Sequence, residues 1–246
     1  MEKTVATIEA RMTSSRLPGK VLFKAAGITM IEHLVRRLKA VKSIDQIVLA
    51  TTINDEDLPL IALAKELKIS FFRGSEENVM ERVIGAAKSV NATVIVEITG
   101  DCPIIDPEIV EQTIRMFKGH KADYVSNALL RSYPDGMDTQ VFRLDTLERS
   151  AAMTNDPLDH EHVTLHIRNN PQIFSQVHLL APPEIHWPEL GLTLDEFNDY
   201  ILLKKIIEHF FNKNNQLFSC TDVVRLLRMH PEYVEINKHV IRKGNT

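Results

Sequence analysis

Apolar and polar positions follow two periods along the first half of the chain. Residues 5–10 form a short apolar run that reads as a buried strand. Within 30–41 the apolar residues Ile31, Leu34, Val35 and Leu38 fall at i, i+3, i+4 and i+7, which predicts one face of a helix. A strand at 47–50 follows. Next comes a helix at 58–67, opened by Asn54-Asp55-Glu56-Asp57, whose acids suit the positive end of a helix dipole. The rhythm continues with a strand at 69–72, a helix at 79–90 and a strand at 93–98 rich in β-branched residues. Pro107 starts another helix, to 117, with Asp106 as its N-cap, and a fifth strand covers 122–126. Strands alternating with helices predict an α/β architecture with a mostly parallel sheet and helices on both faces.

Past residue 126 the pattern loosens. Pro134-Asp135-Gly136 is a turn signal. A strand at 139–142, helices at 144–152 and 160–168 and a strand at 173–179 are expected. After Pro182-Pro183 come closing helices at 197–211 and 221–229. No internal repeat, low-complexity run or long polar linker divides the chain, so residues 1–246 are expected to be one domain.

Composition narrows the partners. With 29 basic and 33 acidic side chains the formal charge is -4, so a nucleic acid is a poor candidate. A single phosphorylated small molecule needs only a local basic patch. Two cysteines, Cys102 and Cys220, do not make a disulfide framework and suit a reducing compartment. The first ten residues lack the apolar run of a signal peptide, and no stretch reaches the roughly 18 apolar residues of a membrane span. A cytoplasmic location with no membrane partner is the expectation.

The most informative segment follows the first strand: Glu9-Ala10-Arg11-Met12-Thr13-Ser14-Ser15-Arg16-Leu17-Pro18-Gly19-Lys20. In an open α/β sheet, ligands bind beyond the carboxyl ends of the strands. A loop there with two serines, a glycine and three cations offers backbone N–H donors and positive charge to phosphates. It is neither a dinucleotide fingerprint nor a P-loop, because the required glycines are missing. On charge alone it is equally a solvated basic turn. Lys20 reads as a flexible loop cation aimed at phosphates and not at a core.

Residues 11–22, Arg-Met-Thr-Ser-Ser-Arg-Leu-Pro-Gly-Lys-Val-Leu, resemble the nucleotide-binding signature of the spore coat polysaccharide biosynthesis protein F family. They are also similar to the signature of CMP-Kdo synthetase and, more distantly, of acylneuraminate cytidylyltransferase. Three further stretches, residues 77–82, 99–106 and 192–196, resemble the first family in the same order. The resemblance implies a nucleotide-diphospho-sugar transferase fold, one Rossmann-like domain with a nucleotide-binding half at 1–126. An acceptor-facing half with the closing helices then occupies 127–246. It implies transfer of CMP from CTP to a sugar, sugar acid or sugar phosphate, with Arg11 and Lys20 on the triphosphate and Arg16 nearby. Ala10, Ser14, Asn78 and Arg82 join the same nucleotide-binding set, with Asn78 the candidate to read a base edge. It further implies Mg²⁺ held by Asp101, with Asp195 as the second acid. Read without the resemblance, Asp101 is a turn residue before Cys102-Pro103 and Asp195 the N-cap of the next helix. Residues 77–82 are then an ordinary amphipathic helix start.

Stretches facing the sugar in that family resemble residues 133–138 and 159–164 here, so Asp135, Asp138, Gln140, Glu161 and His162 are the acceptor candidates. Carboxylates and amides suit sugar hydroxyls. For an anionic acceptor, Arg131 and Arg168 are the nearest cations in sequence. His160 and His162 do not make a zinc site, since i and i+2 point to different faces of a helix and no third ligand is close. The chain departs from the family at Gln140 (often glutamate), at Leu165-His166 (usually proline-tyrosine) and at Phe197-Asn198, which interrupt an acidic run. Two other readings stand beside this one: the same fold using GTP or UTP, and a catalytically silent sugar-nucleotide-binding module. Intact Arg11, Lys20 and Asp101 argue against the second. A homodimer is left open.

Overall fold

Strand β1 (Thr4–Glu9) runs down the centre of the main sheet in the computed structural model, which describes residues 2–241. Met1 and residues 242–246 of the expected domain lie outside the described residues. β1 pairs in parallel with β4 (Gln46–Thr52) on one side and β6 (Val94–Thr99) on the other. Beyond β4 lies β5 (Ser70–Gly74), also parallel. On the far side β8 (Gln140–Arg143) runs antiparallel to β6 and to β7 (Tyr124–Ser126), and β9 (Gln176–His178) closes that edge parallel to β7. The described sheet order is β5-β4-β1-β6-β8-β7-β9, so the mostly parallel expectation holds, with β8 as the reversed strand. A small hairpin, β2 (Lys24–Ala25) and β3 (Ile28–Thr29), escapes the apolar pattern because each strand has two residues. Ala26 and Gly27 turn it with φ of 51° and 79°, the left-handed pair of a tight hairpin.

Helices cover both faces. Ala6 and Ile8 of β1 pack with α1 (Met30–Leu38), α2 (Leu58–Glu66) and α4 (Pro107–Gly119). Val5, on the opposite face of the pleat, packs with α3 (Val79–Ser89), α5 (Leu144–Met153) and Ile167. A third apolar cluster gathers α8 (Phe197–Phe211) and α9 (Cys220–Met229) around Ile104, Met137 and Leu192. A last short helix, α10 (Pro231–Val234), follows.

The helix expected over 160–168 is two pieces, α6 (Pro157–Glu161) and α7 (Leu165–Asn169). Between them the buried Val163 takes φ 40°, which no α-helix tolerates, and the Thr164 hydroxyl turns inward to donate to Gln140 Oε1 at 2.7 Å. Apolar spacing across 160–168 cannot reveal this break, because Val163 and Ile167 are buried in either arrangement.

Asp106 caps α4 as expected, accepting from Glu108 N at 2.8 Å, and its second oxygen accepts from Cys220 N at 2.6 Å, tying α4 to α9. Arg37 locks the same corner. Its guanidinium is 2 % exposed, donates to the carbonyls of Ile105 (3.2 Å) and Phe218 (2.9 Å), and lies 4.0 Å from the centroid of the Phe218 ring. Burial lowers its pKa to about 10, which Asp106 opposes, so it stays charged at neutral pH. Arg37→Met keeps the apolar stem but leaves buried carbonyls without a donor, at an expected cost of about 3 kcal/mol. Urea unfolding checks this as a lower midpoint at unchanged slope; an unmoved midpoint contradicts the locking role.

Candidate active site

β1 ends at Glu9, and the chain then leaves the sheet through the cationic loop read from sequence. A buried carboxylate anchors that loop. Asp57 Oδ1 accepts from Met12 N at 2.7 Å, while Oδ2 accepts from Thr51 Oγ1 (2.9 Å), Thr52 N (3.0 Å) and Thr52 Oγ1 (2.5 Å). Burial alone raises the Asp57 pKa, but these donors outweigh it and hold the carboxyl below its ordinary range. The clamp therefore joins the loop to the end of β4 as a charged group. Farther along, Gly19 N closes the loop on Met12 O at 2.9 Å with φ 70°, a backbone conformation suited to glycine. A short 3₁₀ turn, Lys20–Leu22, follows.

Lys20 is not the flexible surface cation expected. It is 8 % exposed, with Nζ 3.3 Å from Asp101 Oδ2 and 3.2 Å from Asp195 Oδ1. Asp101 stands just past β6. Asp195 arrives from the second half of the chain, stitched in place by Leu194 N donating to Asp101 O at 2.8 Å. Upstream, Gly136 at φ 102° packs its Cα against Leu192; an added Cβ would lie 2.7 Å from the Leu192 carbonyl. That close approach lets the 134–137 turn brace the segment leading to Asp195. Asp195 is not a helix cap: Glu196 and Asp199 form the capping box of α8, and Asp195 N donates to Asp199 Oδ2 at 3.1 Å. Arg16 adds a second cation to Asp195 at 2.7 Å. Burial raises the Asp101 pKa, yet Lys20 and the neighbouring donors prevail and lower it.

These groups open into one cleft of about 690 Å³. Ala10, Arg11, Ser14, Arg16 and Lys20 line it from the loop, Arg82 from α3, and Asp101 and Asp195 from its floor. Arg11 pairs with Glu76 at 2.9 Å, and Glu76 also accepts from Thr13 Oγ1 at 2.5 Å, which with its other donors keeps its pKa low. Arg82 orients the same segment by donating to the carbonyls of Ser75 and Glu76. Asn78 does not line the cleft. Its side chain caps α3, accepting from Glu81 N at 2.9 Å, so the amide oxygen expected to read a base edge is engaged with the backbone.

The acceptor candidates divide. Gln140, Glu161 and His162 line the opposite wall of the same cleft. Asp135 does not; it pairs with Arg131 at 3.4 Å and brackets the 190–192 backbone, its N donating to Leu190 O (2.9 Å) and its O accepting from Leu192 N (2.7 Å). Arg131 is thereby turned away, whereas Arg168 lines the wall. Asp138 also stays outside the lining, half-buried, but acts on it electrically: burial and then Asp135 push its carboxyl up to about 7, with Asp101 and Glu97 adding to the rise. Among the lining acids that escaped the sequence reading are two strand residues, Glu9 and Glu97. Each is a charged residue near the carboxyl end of an otherwise apolar, β-branched strand, and that placement is the signal by which they could have been found. Among the described residues no cluster of three His, Cys, Asp or Glu side chains is arranged for a metal, His160 and His162 included.

The family model described as Cytidylyltransferase matches residues 5–220. Spore coat polysaccharide biosynthesis protein SpsF of Bacillus subtilis is 31 % identical over 237 residues, which cover 94 % of this chain and 97 % of that protein. A cytidylyltransferase structure from Leptospira borgpetersenii superposes with a TM-score of 0.90 at 30 % identity, over 95 % of this chain and 97 % of that one. A CMP:2-keto-3-deoxy-manno-octonic acid synthetase complexed with CTP shares the fold at a TM-score of 0.61 and 18 % identity, over 85 % and 99 % of the two chains. The nucleotide-diphospho-sugar transferase fold expected from the loop signature is therefore the fold observed. With a family model spanning most of its length and a relative matched nearly end to end, this chain belongs to the cytidylyltransferase family.

Proposed function

We propose that this cytidylyltransferase moves CMP from CTP to a sugar or sugar acid, releasing pyrophosphate, in the synthesis of a polysaccharide or glycan precursor. The observation that carries the reading is the Lys20 ammonium between Asp101 and Asp195, on the floor of a two-walled cleft. One wall carries three cations of the phosphate loop; the other carries Gln140, Glu161 and His162, which suit hydroxyls. The Bacillus subtilis spore coat polysaccharide biosynthesis protein and the CTP-bound synthetase support the polysaccharide setting and the nucleotide.

An acceptor oxygen attacks the α-phosphorus in line with the departing pyrophosphate. Charge then grows on the equatorial and leaving oxygens, where Lys20 serves as a compact point charge and Arg11 or Arg16 can fork onto two oxygens. Each cation already has a carboxylate partner, so an arriving triphosphate exchanges one anionic partner for another and no bare charge is buried in between. Magnesium fits the residues present: two carboxylates converge on one ammonium, and hard oxygen donors in that number suit an ion that draws its other ligands from phosphate and water. Asp101 and Asp195 would hold it, and once bound it would neutralise charge on the phosphate oxygens. Orientation and charge stabilisation supply the catalysis, with no covalent enzyme intermediate.

Three outcomes are expected. Lys20→Ala should lower pyrophosphate release by about 10³-fold or more while circular dichroism stays native; near-normal turnover would remove Lys20 from the chemistry. Chelator should abolish activity, and Asp101→Asn should lower both rate and Mg²⁺ dependence, because the amide nearly keeps the shape but loses the charge. Full activity in excess chelator would rule metal out. Finally, Glu161→Ala should raise KM for the sugar by about tenfold with little change for CTP, whereas Lys20→Ala should do the reverse. A Glu161 variant impaired only for CTP would move the acceptor site elsewhere.

A further inference from the structure

The acceptor wall holds more acid than hydroxyl binding requires. Glu97 of β6 is 5 % exposed and lines the cleft four residues before Asp101. Its register partner on β8 is Gln140, whose Nε2 donates to Glu97 Oε2. Gln140 Oε1 in turn accepts from the Tyr124 hydroxyl and, at 2.7 Å, from Thr164 Oγ1. That network holds one carboxyl oxygen, and among the described residues Oε1 makes no hydrogen bond. Arg168 of α7 lines the same wall; its side chain makes no hydrogen bond or ion pair among the described residues, its Nε is buried, and its charge acts on Glu97.

We propose that Glu97 is the catalytic base of the transfer, taking the proton of an acceptor hydroxyl as that oxygen bonds to the α-phosphorus of CTP. The inference rests on the CMP-transfer reading and narrows it, since the attacking atom is then a hydroxyl and not a phosphate oxygen. In the step the acceptor O–H bond breaks and its proton goes to Glu97. The new O–P bond forms, and the bond from the α-phosphorus to the bridging oxygen breaks, its electron pair leaving with pyrophosphate. Glu97 returns the proton to water after product release.

Charge at this end of the cleft favours the hydroxyl. Facing Glu97 are Glu9 from β1, Asp101 beyond β6, Asp138 from the loop before β8, Tyr124 from β7 and Arg168 from α7. The ionised fraction of Glu97 and Asp138, each raised to about 7, opposes a phosphate nucleophile, which is already anionic and needs no base. Burial raises Glu97 to about 7, against the pull of Arg168 and Gln140, with Asp101 pushing the same way as burial. A base half-ionised near neutrality combines an available form with adequate basicity. Glu9 is also raised well above its ordinary range, by burial and then by Glu97, with the Thr7 hydroxyl pulling the other way.

The test measures pyrophosphate release from CTP and Mg²⁺ with two probe sets. One contains free sugars and sugar acids, including 2-keto-3-deoxy-manno-octonic acid; the other contains sugar 1-phosphates. Wild type should turn over a member of the first set with activity falling below pH about 7, as Glu97 is protonated. Glu97→Gln should lower kcat by about 10²-fold or more and abolish that acid limb, while calorimetric CTP affinity stays within about twofold of wild type. A Glu97→Gln enzyme that keeps both kcat and the limb overturns the proposal. Turnover confined to sugar 1-phosphates overturns the base but leaves CMP transfer standing. Release with neither set, while CTP still binds, overturns the acceptor reading and the base with it.

Discussion

Lys20 holds Asp101 and Asp195 together, and much of the molecule serves to keep those three groups in register. The lysine comes from the loop after β1, one aspartate from the end of the neighbouring parallel strand, and the other from the segment before α8. Two carboxylates near a protein interior repel each other, and the ammonium between them offsets that repulsion. The Asp57 clamp, the Leu194–Asp101 backbone bond and the Gly136–Leu192 contact all constrain the positions from which these side chains depart. The cations of the cleft are organised by acids that are themselves organised by backbone.

The cleft is electrically divided. Arg11, Arg16 and Lys20 line one end with cations, and Glu9, Glu97 and the nearby Asp138 gather carboxyls at the other. The parallel arrangement of β1 and β6 is the cause, because it delivers Lys20's loop and Asp101 to the same edge of the sheet. Reversed β8 then adds Gln140 beside Glu97 from the opposite chain direction.

The break between α6 and α7 has a matching role. A continuous helix over 160–168 would spread its side chains evenly around the axis. With Val163 left-handed and Thr164 turned to Gln140, Glu161 and His162 reach the cleft from the end of one piece and Arg168 from the other. Strain at one buried β-branched residue is offset by the packing of Val163 and Ile167 into the core and by the hydrogen bond of Thr164.

Much of this was legible in the sequence because its causes are local. Apolar periodicity located β1, β4, β6 and helices α1 to α5, since a strand or helix buries its own face wherever it packs. Asp106 announced a cap by its place before a proline, and the loop from Arg11 to Lys20 carried the family signature that composition alone left open. Other features were set only by packing. Asp195 and Asp101 are 94 positions apart in the numbering, and nothing near either one says that Lys20 will stand between them. Asn78 was a base reader only by the family resemblance, and the fold uses its side chain as the cap of α3. Glu9 and Glu97 passed as strand residues; their meaning came from the neighbours that burial gave them, and burial is a property of the whole sheet and not of any window of sequence. Local sequence determined the elements and the chemistry of the loop, whereas the convergence of distant charges was decided by tertiary structure, because the strength of a charge–charge contact depends on distance and solvent exclusion, neither of which exists until the chain has packed.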